Sequence, residues 1–224
     1  MLDNGIRTGK EYIEGLQDDR EIWTKGKRVK DVTKDPGIRR GVKTLAGFLD
    51  RQHDPKFQDT VTYLDEKGIR CATSNLIPKS KEDILQRGRS FYEWGKWSNG
   101  MFGRTPDYKN ASLMAFASSS NFLTQGTSNQ TAFAQNMVNY YNKMRLNDKV
   151  LTHTLLNPIV SHQQASEGKF SDEVALHVVK ETDAGIVVTG ARLLATLGPS
   201  SDEIEVFPST VLKGHKDNTP FAFA

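Results

Sequence analysis

The runs Val174-Ala175-Leu176-His177-Val178-Val179-Lys180 and Ile186-Val187-Val188-Thr189-Gly190-Ala191-Arg192 flank Asp183-Ala184-Gly185, and together they decide the fold. Both runs are rich in β-branched residues, and the first alternates in the manner of a half-buried strand. Gly185 and Gly190 sit where hairpin turns need them and do not form a phosphate cradle. Upstream of Asn147-Asp148-Lys149 the character differs, because apolar residues there recur mostly at helical spacing. The reading is α+β: a mostly helical domain over residues 1–147 and a β domain over 148–224.

Outward from that point, Ile204-Glu205-Val206-Phe207 and Pro220-Phe221-Ala222-Phe223-Ala224 read as further strands. The last runs to the final residue, so the β domain is expected to be incomplete, with unpaired sheet edges. In the helical part, Thr8-Gly9-Lys10-Glu11 is a capping box followed by apolar Tyr12, Ile13 and Leu16. Asp35-Pro36 is expected to start a helix carrying Ile38, Val42, Leu45 and Leu49 and ending near His53-Asp54-Pro55. A small hairpin is expected near 59–74, its strands 60–64 and 69–73 joined by Asp65-Glu66-Lys67-Gly68. Ser80-Lys81-Glu82-Asp83 caps a helix through Trp97 with Ile84, Arg87, Phe91 and Trp94 on one face. A further helix over 131–145 carries Phe133, Met137, Tyr140, Tyr141 and Met144, which are read as core.

Composition excludes several function classes. The 30 basic and 27 acidic residues nearly balance, and the basic ones are scattered, which argues against nucleic acid as a partner. A single cysteine, Cys71, excludes an internal disulfide and a thiolate-held iron–sulfur cluster, and it fits a reducing cytoplasm. There is no apolar run of membrane length and no secretory signal core, so no membrane association is expected. No histidine pair has metal-ligand spacing, and no metal site is expected. There is likewise no P-loop, no nucleophile elbow and no dinucleotide fingerprint.

Two places offer chemistry. Arg104-Thr105-Pro106-Asp107-Tyr108 is a helix start, with Thr105 at the N-cap, Pro106 at the first helical position and Asp107 on the positive end of the dipole. Arg104 then lies just before that end and Tyr108 within the first turn. Taken alone, the stretch is also a plain capping motif with Arg104 paired to a carboxylate. His153 lies between Val150-Leu151 and Leu155-Leu156, where the helical part gives way to the β part. Taken alone it reads as a structural histidine, although pockets prefer such junctions. A guanidinium, a phenol and an imidazole suit a phenolic substrate. A neighbouring positive charge lowers an acid's pKa by about 1–3, and a free phenol titrates near about 10. His162 is placed to line the same junction, whereas His53, His177 and His215 read as turn or strand residues.

Five blocks, in order, resemble the 4-hydroxyphenylacetate 3-hydroxylase family, the oxygenase half of a two-component flavin-dependent monooxygenase. They are Arg7-Thr8-Gly9-Lys10-Glu11-Tyr12; Gly26-Lys27-Arg28-Val29-Lys30-Asp31-Val32-Thr33; Gly103-Arg104-Thr105-Pro106-Asp107-Tyr108; His153-Thr154-Leu155-Leu156-Asn157-Pro158; and Glu181-Thr182-Asp183-Ala184-Gly185-Ile186-Val187-Val188-Thr189-Gly190-Ala191. The resemblance implies an acyl-CoA-dehydrogenase-like fold, of which this chain holds the amino-terminal helical domain and part of a central β-barrel domain. The carboxy-terminal helical bundle is then absent, and with it part of the flavin site and most of a tetramer contact.

It also implies that reduced FAD (FMN being the lesser choice) comes from a separate flavin reductase. With O₂, the enzyme hydroxylates a phenol ortho to its hydroxyl, 4-hydroxyphenylacetate giving 3,4-dihydroxyphenylacetate. Arg104, Tyr108 and His153 look like the trio around the substrate hydroxyl. Ser200 and Ser201, in a loop that varies with substrate, look like further substrate contacts. His153, Ile159, Val160, Ser161, His162 and Thr196 look like flavin contacts. Chlorophenol- or nitrophenol-acting relatives, or an inactive fragment of such an enzyme, are the alternatives. A dehydratase with an iron–sulfur cluster is excluded by the single cysteine.

Overall fold

The structure, a computed structural model, describes residues 5–100, 106–124, 130–156, 158 and 174–207. It divides into two compact units, the first reaching Val150 and including Pro199–Asp202, the second formed by Leu151–Gly198 and the chain from Glu203 onward.

In the first unit, helix α1 (Gly9–Gly15) opens on the expected capping box. The Glu11 N–H donates to Thr8 Oγ1 at 3.2 Å, and the Thr8 N–H donates to a Glu11 carboxylate oxygen at 2.7 Å. Its apolar Tyr12 and the C-cap Leu16 are fully buried. Helix α2 (Arg39–Arg51) buries Val42, Leu45, Ala46, Phe48 and Leu49 along one stripe. Burial of each of the larger side chains contributes about 1.5–3 kcal/mol. The two helices meet at Gly9, where a Cβ would lie 2.5 Å from the Ala46 carbonyl oxygen, so only glycine permits the approach.

Helix α2 begins three residues later than Pro36. The Asp35 carboxylate accepts the Gly37 N–H at 2.8 Å, holding 35–37 in a turn, and the helix starts at Arg39 without a side-chain cap. The short polar side chain out-competes the helix for its own neighbouring amide. A hairpin not foreseen from the sequence, β1 (Ile22–Thr24) against β2 (Lys27–Val29), turns through Lys25 and Gly26, both at positive φ. The expected hairpin near 59–74 is shorter: Thr60 and Val61 belong to α3 (Gln58–Val61), and β3 (Thr62–Leu64) pairs antiparallel with β4 (Arg70–Ala72). Val61, at the end of that helical turn, is fully buried.

Helix α4 (Lys81–Trp97) carries the Ser80/Asp83 capping box, and Trp94 packs edge-on against Phe48 with ring centroids 4.9 Å apart. Ile84, expected on the inner face, is 61% exposed. Helices α5 (Pro106–Ser118) and α6 (Gln130–Leu146) complete the unit. Tyr141 and Met144 of α6 are core as expected, but Phe133 is 48% exposed. No helix among the described residues is long and apolar enough to cross a membrane.

In the second unit, β5 (Leu151–Thr154) pairs parallel with β8 (Glu203–Val206), and β6 (His177–Thr182) pairs antiparallel with β7 (Gly185–Thr189) around the expected turn. The 6–7 ribbon slips register between Val178 and Lys180. Gly190, at φ +106°, lies so close to the Ala175 carbonyl that a Cβ would sit 2.3 Å from its oxygen. The strand expected over 220–224 lies outside the described residues.

Candidate functional site

Tyr108 is positioned by a hydrogen-bonded scaffold inside the helical unit. The segment after β4 makes a tight turn over Thr73–Asn75, leaving carbonyls with no ladder partner. Arg87 of α4 donates from one guanidinium nitrogen to the carbonyls of Thr73, Ser74 and Leu76, at 3.2, 2.8 and 2.9 Å. Tyr141 of α6 donates its hydroxyl to the Asn75 carbonyl. Asn110 of α5 is buried and donates to Ser74 Oγ at 3.1 Å, which fixes the rotation of α5. Two residues earlier, in the first turn, Tyr108 is 43% exposed. Helix α5 starts at Pro106, as its sequence requires. Arg104 lies outside the described residues.

A cavity of about 20 Å³ lies beneath this scaffold, lined by Gln52, Ser74, Asn110 and Asp148 with Phe48 and Trp94. It has room for one water and not for an aromatic ring.

His153 is carried by β5 of the second unit, and every residue of that strand is buried. Thr152 and Thr154 face one side: Thr152 Oγ1 accepts the Leu197 N–H at 3.4 Å, and Thr154 donates its hydroxyl to the Leu193 carbonyl. Strand alternation turns His153 to the other side. There its ring meets Phe207 edge-on at 6.4 Å between centroids, and its register partner on β8 is Glu205, also buried. Directly paired residues share a sheet face, so a carboxylate accompanies the imidazole. Nothing in the sequence pointed to Glu205, because the pairing joins segments 52 residues apart (205 − 153).

Of the positions read as flavin contacts, Thr196 lies in an exposed turn next to Leu193 and Leu194, which are 41% and 68% exposed. Ile159, Val160, Ser161 and His162 lie outside the described residues. Among the described residues no group of His, Cys, Asp and Glu is arranged to hold a metal.

Ser200 and Ser201 are buried, and both belong to the helical unit. Their segment is gripped from the first twenty residues. Tyr12 donates its hydroxyl to the Ser200 carbonyl at 2.5 Å, and Arg20 donates to the carbonyls of Pro199 and Ser201, each at 3.0 Å. Arg7 makes a bidentate pair with Asp202 at 3.0 and 2.6 Å, and the Val150 N–H donates to the same carboxylate at 2.7 Å. Burial would raise the Asp202 carboxyl, but the Arg7 hydrogen bonds and charge, with Lys149, hold it below the usual carboxylate range. Asp148 differs: burial pushes it up, although it accepts the Arg7 backbone N–H at 3.1 Å and Gln52 Nε2 at 2.7 Å. Arg7, Tyr12, Arg20 and Asp202 had no local signal, since partners nearly 200 positions apart leave no periodic trace.

Comparison with known proteins places these features in a family. The chain is 42% identical over 219 residues to the 4-hydroxyphenylacetate 3-monooxygenase oxygenase component of Thermus thermophilus, covering 97% of this chain and 44% of that protein. The corresponding protein of a Geobacillus species is 36% identical over the same shares. A crystal structure of such an oxygenase component, complexed with FAD and 4-hydroxyphenylacetate, superposes with a TM-score of 0.86 at 42% identity, over 97% of this chain and 44% of that one. The fold is the acyl-CoA-dehydrogenase-like one expected. The chain thus spans less than half the length of the relatives it matches. With the family model for the 4-hydroxyphenylacetate 3-hydroxylase N terminal matching residues 8–224, this chain belongs to the 4-hydroxyphenylacetate 3-hydroxylase family.

Proposed function

We propose that the protein acts as the oxygenase component of a two-component, flavin-dependent aromatic hydroxylase. It takes reduced FAD, in preference to FMN, from a separate flavin reductase and uses O₂ to hydroxylate 4-hydroxyphenylacetate ortho to its hydroxyl. The observation that carries this is the 42% identity over 97% of the chain to an oxygenase component solved with FAD and 4-hydroxyphenylacetate. The cofactor supplies the oxygen chemistry, and the protein binds, orients and keeps water from the ring. Arg104 and His153 hold the phenol and favour loss of its proton, because a phenolate pushes electron density into the ring carbon to be attacked. Tyr108 adds a hydrogen bond to the same oxygen. Ser200 and Ser201 contact the substrate away from its hydroxyl. Thr196, with Ile159, Val160, Ser161 and His162, meets the flavin. A cytoplasmic setting and a homotetrameric assembly accompany this reading.

The test is anaerobic titration of the full-length protein with reduced FAD, then O₂ and a panel of phenols. Binding followed by catechol formation from 4-hydroxyphenylacetate is expected. Preferential turnover of a nitrophenol or chlorophenol would move the protein to the related specificity, and no catechol from any phenol would overturn the reading. Arg104→Ala is expected to cut hydroxylation by about 100-fold or more, on the scale of losing one charge-stabilising contact. His153→Ala is expected to release more peroxide per product, with an altered pH profile.

A further inference from the structure

We propose that Tyr12 and Arg20 are positioning residues for substrate choice: they set the shape of the 199–202 segment and so decide which para-substituted phenols the enzyme accepts. This rests on the reading of Ser200 and Ser201 as substrate contacts. The chain contributes only Pro199–Asp202 to the helical unit between two stretches of the second unit. The segment begins in the short 3₁₀ turn Gly198–Ser200. At its ends the Gly198 N–H donates to the Ala195 carbonyl and the Asp202 N–H to the Val150 carbonyl. In between, three successive carbonyls are each taken by a side chain, Ser200 by Tyr12 and its two neighbours by Arg20. Side-chain donors from the first twenty residues thus hold three successive carbonyls of the segment.

The donors are themselves rigid. Tyr12 is fully buried, and the Arg7 guanidinium lies 5.2 Å from its ring centroid. Arg20 is locked by a bidentate pair with Asp18, at 2.6 and 2.7 Å, which leaves Nη1 to bridge the Pro199 and Ser201 carbonyls. A planar guanidinium held along one edge presents its other nitrogen at a fixed place, which a lysine cannot reproduce. Tyr12 is sealed from solvent, and its hydroxyl is engaged by the Ser200 carbonyl. Their reach to the reaction is through the backbone of Ser200 and Ser201, and displacements of about 1 Å in such supports shift rates by large factors.

The experiment uses the full-length protein with reductase in excess, comparing Tyr12→Phe, Arg20→Lys and Arg20→Met with the parent. Two readouts are taken: amide hydrogen exchange over 199–202, and kcat/KM for phenols differing only in the para substituent. Exchange over 199–202 is expected to rise at least tenfold. The ratio of kcat/KM between 4-hydroxyphenylacetate and a phenol with an uncharged para group is expected to move by roughly tenfold, a scale set by losing one or two buried hydrogen bonds. Substrate-free oxidation of bound reduced flavin should stay within twofold. Arg20→Lys is expected to fall between the parent and Arg20→Met. A uniform fall in kcat/KM for every phenol, with the ratio unchanged, would make the two residues merely structural and overturn the proposal. So would a changed ratio with unchanged exchange. Failure of the parent itself to hydroxylate any phenol would instead overturn the function on which the proposal rests.

Discussion

The two units differ in what their polar groups do. In the helical unit, buried charge is enclosed and answered: Arg7 serves Asp202 through its guanidinium and Asp148 through its backbone, and Gln52 and Val150 supply further donors. In the second unit, the ribbon of β6 and β7 holds itself by its ladder, while Val179, Ile186 and Val187 remain 44–54% exposed. Stability in the first unit therefore depends on a few irreplaceable partners. In the ribbon it depends on backbone geometry and little on side-chain identity. Among the described residues of that unit, the buried ones lie on β5 and at the end of β8, His153 among them.

The largest expected effect breaks the helical unit's network. Arg7→Met takes the guanidinium from buried Asp202 and leaves the backbone bond to Asp148 in place, and loss of one partner from a buried pair costs about 3–5 kcal/mol. Urea unfolding monitored in the helical unit is the measurement, and a loss below about 1 kcal/mol would mean the network is not what holds the unit. Next, Gly190→Ala should cost about 1–3 kcal/mol, because a Cβ at φ +106° meets the Ala175 carbonyl at 2.3 Å. Hydrogen exchange should show the loss confined to 177–189, with α2 unchanged; a loss spread over both units would erase the distinction.

Acid sharpens the comparison further. The folded Asp202 carboxyl titrates below its unfolded value, so its stabilisation is present above about pH 3.9 and disappears as pH falls through the lower folded value. Asp148 works the other way, because its raised folded value favours the neutral form, and that contribution fades as pH rises. The helical unit is therefore expected to weaken below about pH 4, and Arg7→Met should flatten that acid limb. An unchanged limb would assign acid sensitivity elsewhere. The smallest effect is Val187→Thr on the exposed ribbon face, expected within about 0.5 kcal/mol by thermal unfolding.

Much of this was legible in advance where the signal is local. Both capping boxes, the start of α5 at Pro106 and the turn at Asp183 and Ala184 depend on residues within four positions of each other, so short-range chemistry specifies them. The misses are equally instructive. Asp35 held a turn where a helix start was expected, because the carboxylate had a nearer amide to bind. Ile84 and Phe133 have apolar side chains at helical spacing yet face outward, since periodicity gives a face but not what lies against it. The short strands β1, β2 and β5 are each three or four residues long, below the length at which alternation can be recognised.

By itself, the sequence determined the mixed helix and strand character, the caps and turns, and through its motifs the family. Each of these rests on contacts between near neighbours or on the order of short blocks. Only the tertiary structure decided that Arg87, Tyr141 and Asn110 set the stance of Tyr108, and that Glu205 stands beside His153. It alone showed residues 199–202 gripped by Tyr12 and Arg20. Those pairings join segments tens to nearly two hundred residues apart, and such distant partners are chosen by packing of the whole chain, for which no local pattern stands proxy.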